Sequence, residues 1–243
     1  MTEIINKAEI SEKVRVIYED NQVLVVIKPQ NLAVCEDASK DPDLLNELKQ
    51  YIKVKYNKTG NVFLALVHRL DRPTGGVMVF AKTSKSAERL CAAIQEGGFE
   101  KKYLTVVIGT PKDSRVKLVN YLKKDEGTNT VSIVSQYAEG AKRAELDYHV
   151  LESKGELSLL EVELYTGRSH QIRVQLANAG YPVFGDAKYK GDIAKGWNMA
   201  LWAYELRFAH PTTKEKMVFI VYPPVEETPW KYFSAKINAD KKM

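Results

Sequence analysis

The stretch VHRLDRPTGG, Val67–Gly76, carries the residue types best suited to chemistry. It places one carboxylate, Asp71, between Arg69 and Arg72, then breaks the backbone with Pro73 and a glycine pair. Apolar runs flank it, VFLALV over Val62–Val67 and VMVFA over Val77–Ala81. Both are short, rich in β-branched and aromatic residues and bounded by turn residues, so both read as buried strands. Asp71 is then expected on a loop between two core strands, where a rigid scaffold can hold a reactive group at a cleft. The same loop reads equally well as a turn whose Asp pairs with a neighbouring Arg. This stretch alone does not separate the two readings.

A second stretch lies about a hundred residues downstream: LYTGRSHQIRVQLANAGYPVFGDAKY, Leu164–Tyr189. A strand ends at Thr166-Gly167, Arg168 follows, and a helix is expected over Ser169–Ala179, closed by Gly180. A guanidinium at a helix start, beside the first free amides, suits an anion such as a carboxylate or a phosphate. Gln171 and Arg173 are further donors, and Gly185-Asp186 marks a tight turn.

The elements that must position these loops follow from pattern. Strands are expected at 14–18 and 23–28, joined as a hairpin through Glu19–Gln22. A helix capped by Asp41-Pro42 should turn Leu44, Leu45, Leu48, Ile52 and Tyr56 inward. A second helix should run from Ser84 to Gly97-Gly98 with Ala87, Leu90, Cys91 and Ile94 inward. Further strands are expected at 100–110, 130–136, 143–151, 157–165, 200–208 and 217–222, and a last helix over 228–235. Many strands with few, irregularly spaced helices argue an α+β domain on a mostly antiparallel sheet. The expected organisation is a tail over 1–13, one domain over 14–236 and a tail over 237–243.

Composition narrows the function classes. The chain has 243 residues, 44% of them hydrophobic, and a net charge of +5. The sequence shows no apolar run long enough to span a membrane and no signal-peptide core, so a soluble, cytoplasmic protein with reduced Cys35 and Cys91 is expected. Between Lys101 and Lys124, seven basic residues (Lys101, Lys102, Lys112, Arg115, Lys117, Lys123, Lys124) stand against Asp113 alone, and Lys53, Lys55 and Lys58 form a second cluster. Such bias is the footprint of a polyanion partner, or simply a solvated surface. The histidines and cysteines have no metal-ligand spacing, so no metal site is expected.

HRLDRPTGG, then KKYLTVVIG (Lys101–Gly109), then TGRSHQIRVQLANAGYPVFGD, then LRFAHP (Leu206–Pro211) resembles the RluA family of RNA pseudouridine synthases. The four blocks stand in that family's order, over about residues 14–225. The resemblance implies a catalytic domain with a long, bent, mixed and mostly antiparallel sheet and flanking helices, without the family's N-terminal S4 domain. It implies isomerisation of uridine in structured ribosomal or transfer RNA, with no cofactor. Asp71 matches the catalytic aspartate, Tyr103 the tyrosine that stacks on the uracil and Arg168 the arginine that pairs with the aspartate. Leu206 matches an apolar residue of the base pocket. His68, Arg69, Arg72, His170, Lys101 and Lys102 are the remaining candidate substrate contacts. Two positions depart from the family: Gly75 stands where Ser is usual, and Gln175 where His is usual.

The chemistry suits the residues. The reaction breaks the C1′–N1 bond, rotates the uracil and rejoins it through C5, so no group enters or leaves. One ionised carboxylate can serve as nucleophile or base, and an aromatic face can hold the detached base. The target nucleotide must first be flipped out of its stack, at a few kcal/mol. Competing readings are a catalytically silent RNA-binding protein of the same fold and a carboxylate-dependent hydrolase, for which Asp186 is the best second acid. His68 and His170 serve equally well as structural hydrogen-bonding groups, and a monomer is expected.

Overall fold

The computed structural model describes residues 14–37, 39–190 and 196–241; the expected tail over 1–13 lies outside them. The chain forms two compact units: residues up to Phe99 with Leu206–Val221, and Glu100–Glu205 with Tyr222 onward. Together they make an α+β fold, and none of the described helices is long and apolar enough to cross a membrane.

The first unit contains β1 (Arg15–Glu19), β2 (Val23–Lys28), α1 (Leu44–Lys55), β3 (Ala65–Leu66), β4 (Gly75–Ala81), α2 (Ser84–Gln95) and, returning late, β11 (Lys216–Ile220). β2 pairs antiparallel with both β1 and β4. β4 is buried at every residue and β2 nearly so, as the unbroken apolar runs require when both faces of a strand are covered. Val23, Val25, Val77, Val79, Leu90, Phe99, Leu206 and Phe208 form one core cluster, with the Phe99 and Phe208 rings stacked at 5.2 Å. The β1–β2 hairpin closes on Asp20, whose Oδ1 accepts the amides of Gln22 at 2.7 Å and Val23 at 2.8 Å.

Three expectations here need correcting. α1 is capped by Asp43, which accepts the Asn46 amide at 3.0 Å, so the cap falls after Pro42 rather than at Asp41. Leu44, Leu48 and Ile52 are buried as expected, but Tyr56 ends the helix exposed. The run 62–67 forms only the short β3, because its pairing with β4 is confined to Ala65 and Leu66.

The second unit contains β5 (Glu100–Ile108), β6 (Arg115–Asp125), β7 (Thr130–Val134), β8 (Lys142–Lys154), β9 (Leu157–Leu164), α3 (Gln171–Asn178), a 3-10 turn (Trp230–Phe233) and α4 (Ser234–Asp240). Its strand order is β5-β9-β8-β6-β7, antiparallel throughout. A further strand, β10 (Leu201–Ala209), gives residues 201–205 to this unit and 206–209 to the first. β6 was not anticipated. Arg115, Lys117 and Lys123 lie on its outward face and Val116, Leu118 and Leu122 on the other, so the alternation hides under its charge. The last helix starts later than expected: residues 237–240, read as tail, continue α4, and Ile237 is buried.

Candidate functional site

Asp71 sits in the first unit on the loop between β3 and β4, and the sequence reading missed the residue that anchors that loop. Lys28, at the end of β2, is fully buried. Its Nζ donates to the carbonyls of Pro29 at 2.8 Å, Leu32 at 2.7 Å and Arg72 at 3.0 Å. Three acceptors match the three donors of an ammonium group. Burial pushes the Lys28 pKa down to about 7, while the nearby Asp71 carboxylate pulls it back up and Arg72 adds to the depression. The amide of Gln30 donates to Pro73 O at 3.1 Å, and the Thr74 amide to Asp71 O at 3.0 Å. Lys28 pairs in register with Gly76, the second residue of β4, at φ 124°. A lysine closing an apolar strand just before Pro29 was the available signal. It reads as a strand end unless one asks where its amine can go.

Arg72 is engaged from the other side. Its guanidinium donates to Asp41 at 2.7 Å, to both oxygens of Asp37 at 2.9 and 3.1 Å and to Ser39 Oγ at 2.7 Å. Hydrogen bonds from Ser39 first and Arg72 second hold the Asp37 carboxyl down at about 2. The other expected contacts of this unit divide. Arg69 is exposed. His68 accepts the Val79 amide at 3.1 Å on Nε2, a bond that ties the loop to β4. Leu206 is buried in the core cluster with Val23 and Val77.

The second unit holds Tyr103, Lys101, Lys102, Arg168 and His170. Lys101 and Tyr103 share one face of β5, two residues apart. Tyr103 is buried, and a Cβ placed on Gly167 would lie 3.6 Å from Lys101 Nζ. Lys101 therefore stands against the turn that carries Arg168, and burial lowers its pKa. Lys102 faces the other way, 3.5 Å from Glu161.

Arg168 precedes α3 by more than the sequence suggests. Its amide donates to Gln171 Oε1 at 3.0 Å and its Nε to Arg143 O at 3.0 Å. His170 is the cap residue, at φ 51°, a left-handed conformation uncommon outside glycine. Its Nδ1 lies 2.8 Å from Tyr189 Oη, which accepts the Val131 amide at 2.8 Å. Gln171 and Arg173, expected as donors to an anion, are instead structural. Gln171 also accepts from Thr166 Oγ1 and donates to Glu145 O. Arg173 donates to Asp186 through Nε at 2.7 Å and through its terminal nitrogen at 2.8 Å, and both residues are buried.

That pair removes Asp186 as a second reacting acid: its Oδ1 also accepts the amides of Lys188 and Tyr189. The Gln175 departure is accommodated beneath α3, where Nε2 donates to Asn120 Oδ1 at 2.8 Å. The basic run 101–124 is not a patch of one sign, since Lys102, Lys117 and Lys124 pair with Glu161, Glu145 and Glu126.

Residues 22–178 match the family model described as RNA pseudouridylate synthase. An uncharacterized RNA pseudouridine synthase of Aquifex aeolicus (strain VF5) is 35% identical over 231 residues, spanning 87% of this chain and 70% of that protein. Ribosomal large subunit pseudouridine synthase D of Vibrio cholerae is 34% identical over 220 residues, spanning 84% of this chain and 65% of that one. The chain thus spans about two thirds of the length of these relatives. Among solved structures, human RNA pseudouridylate synthase domain containing 1 superposes with a TM-score of 0.70 at 25% identity, over 88% of this chain and 84% of that one. Human RNA pseudouridylate synthase domain containing 4, at 20% identity and a TM-score of 0.75, shares the fold over 96% of this chain and 95% of its own. The length of the family match and the identity to the Aquifex protein together decide the point: the chain belongs to the RNA pseudouridylate synthase family of isomerases.

Proposed function

We propose that this protein converts uridine in structured ribosomal or transfer RNA to pseudouridine, with Asp71 as the carboxylate at the glycosidic centre. The observation that carries the proposal is the anchoring of the Asp71 loop. The fully buried Lys28 Nζ donates to the Arg72 carbonyl, next in the chain to Asp71. A loop fixed in this way suits a reacting group, which must be held in place before the base arrives. The Vibrio relative, a ribosomal large subunit enzyme by name, makes ribosomal RNA the first substrate to try.

In this reading the C1′–N1 bond breaks, the uracil turns, and C5 bonds to C1′ while the C5 proton is lost and N1 gains one. Asp71 acts as nucleophile or base, Tyr103 offers the aromatic face and a phenol for the C5 proton, and Arg168 supplies positive charge. His68, Arg69, His170 and Lys101 serve substrate binding, and the enzyme works as a cytoplasmic monomer.

The test is Asp71→Asn, assayed for pseudouridine in ribosomal RNA from a strain lacking the gene. Product should vanish while RNA affinity stays near wild type. Turnover above a few per cent would assign the chemistry to another residue and revive the silent-binder reading for this loop.

A further inference from the structure

The second lysine cluster of the sequence plays no part in the site described above. Residues 53–61, KVKYNKTGN, are exposed without exception, and the stretch to Phe63 contains no acidic residue. Three large apolar side chains stand out of it: Val54 at 43%, Tyr56 at 48% and Phe63 at 49% exposed. The end of α1 is not loose. Lys58 N donates to Lys53 O at 3.0 Å and Asn57 N to Val54 O at 3.3 Å, with Asn57 at φ 50°, so the helix closes in a left-handed cap that fixes where Lys53 and Lys58 emerge.

The acid beneath this surface is already occupied. Glu19 accepts from Lys55 at 2.7 Å, Lys82 at 2.7 Å and Tyr56 at 2.9 Å. The Lys82 and Lys55 ammonium groups lie 5.1 and 5.5 Å from the Tyr56 ring centre. By contrast Lys53 and Lys58 have no ion-pair partner among the described residues. Lys53 also complements the dipole of α1, but that accounts neither for Lys58 beyond the helix nor for an exposed phenylalanine.

Register locates the surface. Ala65 pairs with Ala81, so Phe63 and Lys82 lie at the end of β4 away from Gly75 and the Asp71 loop. Along β4 that is about 20 Å, several nucleotides of RNA. An exposed Phe63 on the same acid-free stretch as exposed Lys53 and Lys58 suits an unpaired base and backbone phosphates; isolated apolar residues among Asn57, Thr59 and Asn61 do not make a dry protein interface.

We infer that this lysine–aromatic surface is a second RNA-docking site, where an unpaired base stacks on Phe63 and backbone phosphates meet Lys53 and Lys58. The inference rests on the RNA reading above and adds a place for the single-stranded part of the substrate.

The test is anisotropy titration of a labelled oligouridine and of a fully paired duplex of equal length, across a salt series. Phe63→Ala should weaken oligouridine binding about fivefold or more with its salt slope unchanged, and Phe63→Leu should behave alike. Lys53→Ala with Lys58→Ala should lower the log–log slope on oligouridine by about 1.4, at ~0.7 per phosphate. All three side chains are exposed, so unfolding midpoints should not move. Wild-type affinity and slope in all three variants would overturn the inference. So would unchanged RNA binding with lost self-association in sedimentation, which would assign the surface to a second copy of the chain. Failure of the underlying RNA reading shows elsewhere, in Asp71→Asn that keeps its activity or wild type that binds neither RNA.

Discussion

Arg72 and Arg173 both meet carboxylates, and their settings lie near opposite ends of what burial allows. Arg72 is 36% exposed, against Asp37 at 45% and Asp41 at 55%; Arg173 is 6% exposed against Asp186 at 1%. Water and salt screen the first set, so those bonds contribute little to stability and can exchange for a phosphate. The second pair is desolvated and bidentate, and removing either member leaves a buried charge alone. The exposed arginine adjoins Asp71 and is available for function. The buried one fixes the turn after α3 and is not. Lys28 belongs with the buried class although its acceptors are neutral carbonyls, because its amine has no other place to go.

The largest effect should come from the buried pair. Asp186→Asn should lower unfolding free energy by about 3–5 kcal/mol, read by urea unfolding, and Arg173→Met by a similar amount. Together they should cost less than the sum of the two, since the double variant leaves no orphan charge. Strict additivity would break the contrast by showing that the pair is not energetically coupled.

Lys28→Met should come next, at about 2–4 kcal/mol, because the carbonyls of partly buried Pro29, Leu32 and Arg72 lose their donor while the buried amine is removed. Activity should fall further than stability predicts if the lysine positions Asp71, and the readout is pseudouridine yield well below the unfolding temperature. A loss of stability with full activity would leave Lys28 purely structural.

Glu19 tests the intermediate case by pH. Burial raises its pKa, but hydrogen bonds from Lys55, Lys82 and Tyr56 outweigh that and bring it to about 2. A depressed folded value gives stability that is present above the unfolded pKa and is lost as pH falls from about 5 towards 2. The loss is on the order of 1–2 kcal/mol after screening is allowed for. In Glu19→Gln the acid limb of the stability curve should flatten; a curve parallel to wild type would place the acid sensitivity elsewhere.

The smallest effect on stability belongs to Arg72. Asp37→Asn with Asp41→Asn should leave the unfolding midpoint unchanged. RNA binding should tighten at low salt and converge with wild type at high salt, because the freed guanidinium can meet phosphate. Equal affinity at every salt concentration would show that Arg72 never leaves its acids for RNA.

The sequence by itself determined most of the strands and the loops that carry Asp71 and Arg168. β2 and β4 are unbroken apolar runs, the hairpin turns on Asp20, and Gly97-Gly98 stops α2; these signals are local, so they survive without the fold. It did not show β6, whose lysines mask a period of two, nor the true extent of β3, whose length depends on which β4 residues it meets. Tertiary structure alone decided what the polar residues do. Gln171 and Arg173 read as donors to an anion and Asp186 as a turn residue or second acid; in the fold Gln171 donates to Glu145 O, and Arg173 is taken up by the buried Asp186. Lys28 reads as a strand end and is the anchor of the Asp71 loop. A polar side chain's role is set by which donors and acceptors reach it once water is gone, and those come from residues far away in the chain: Arg72 is forty-four positions from Lys28.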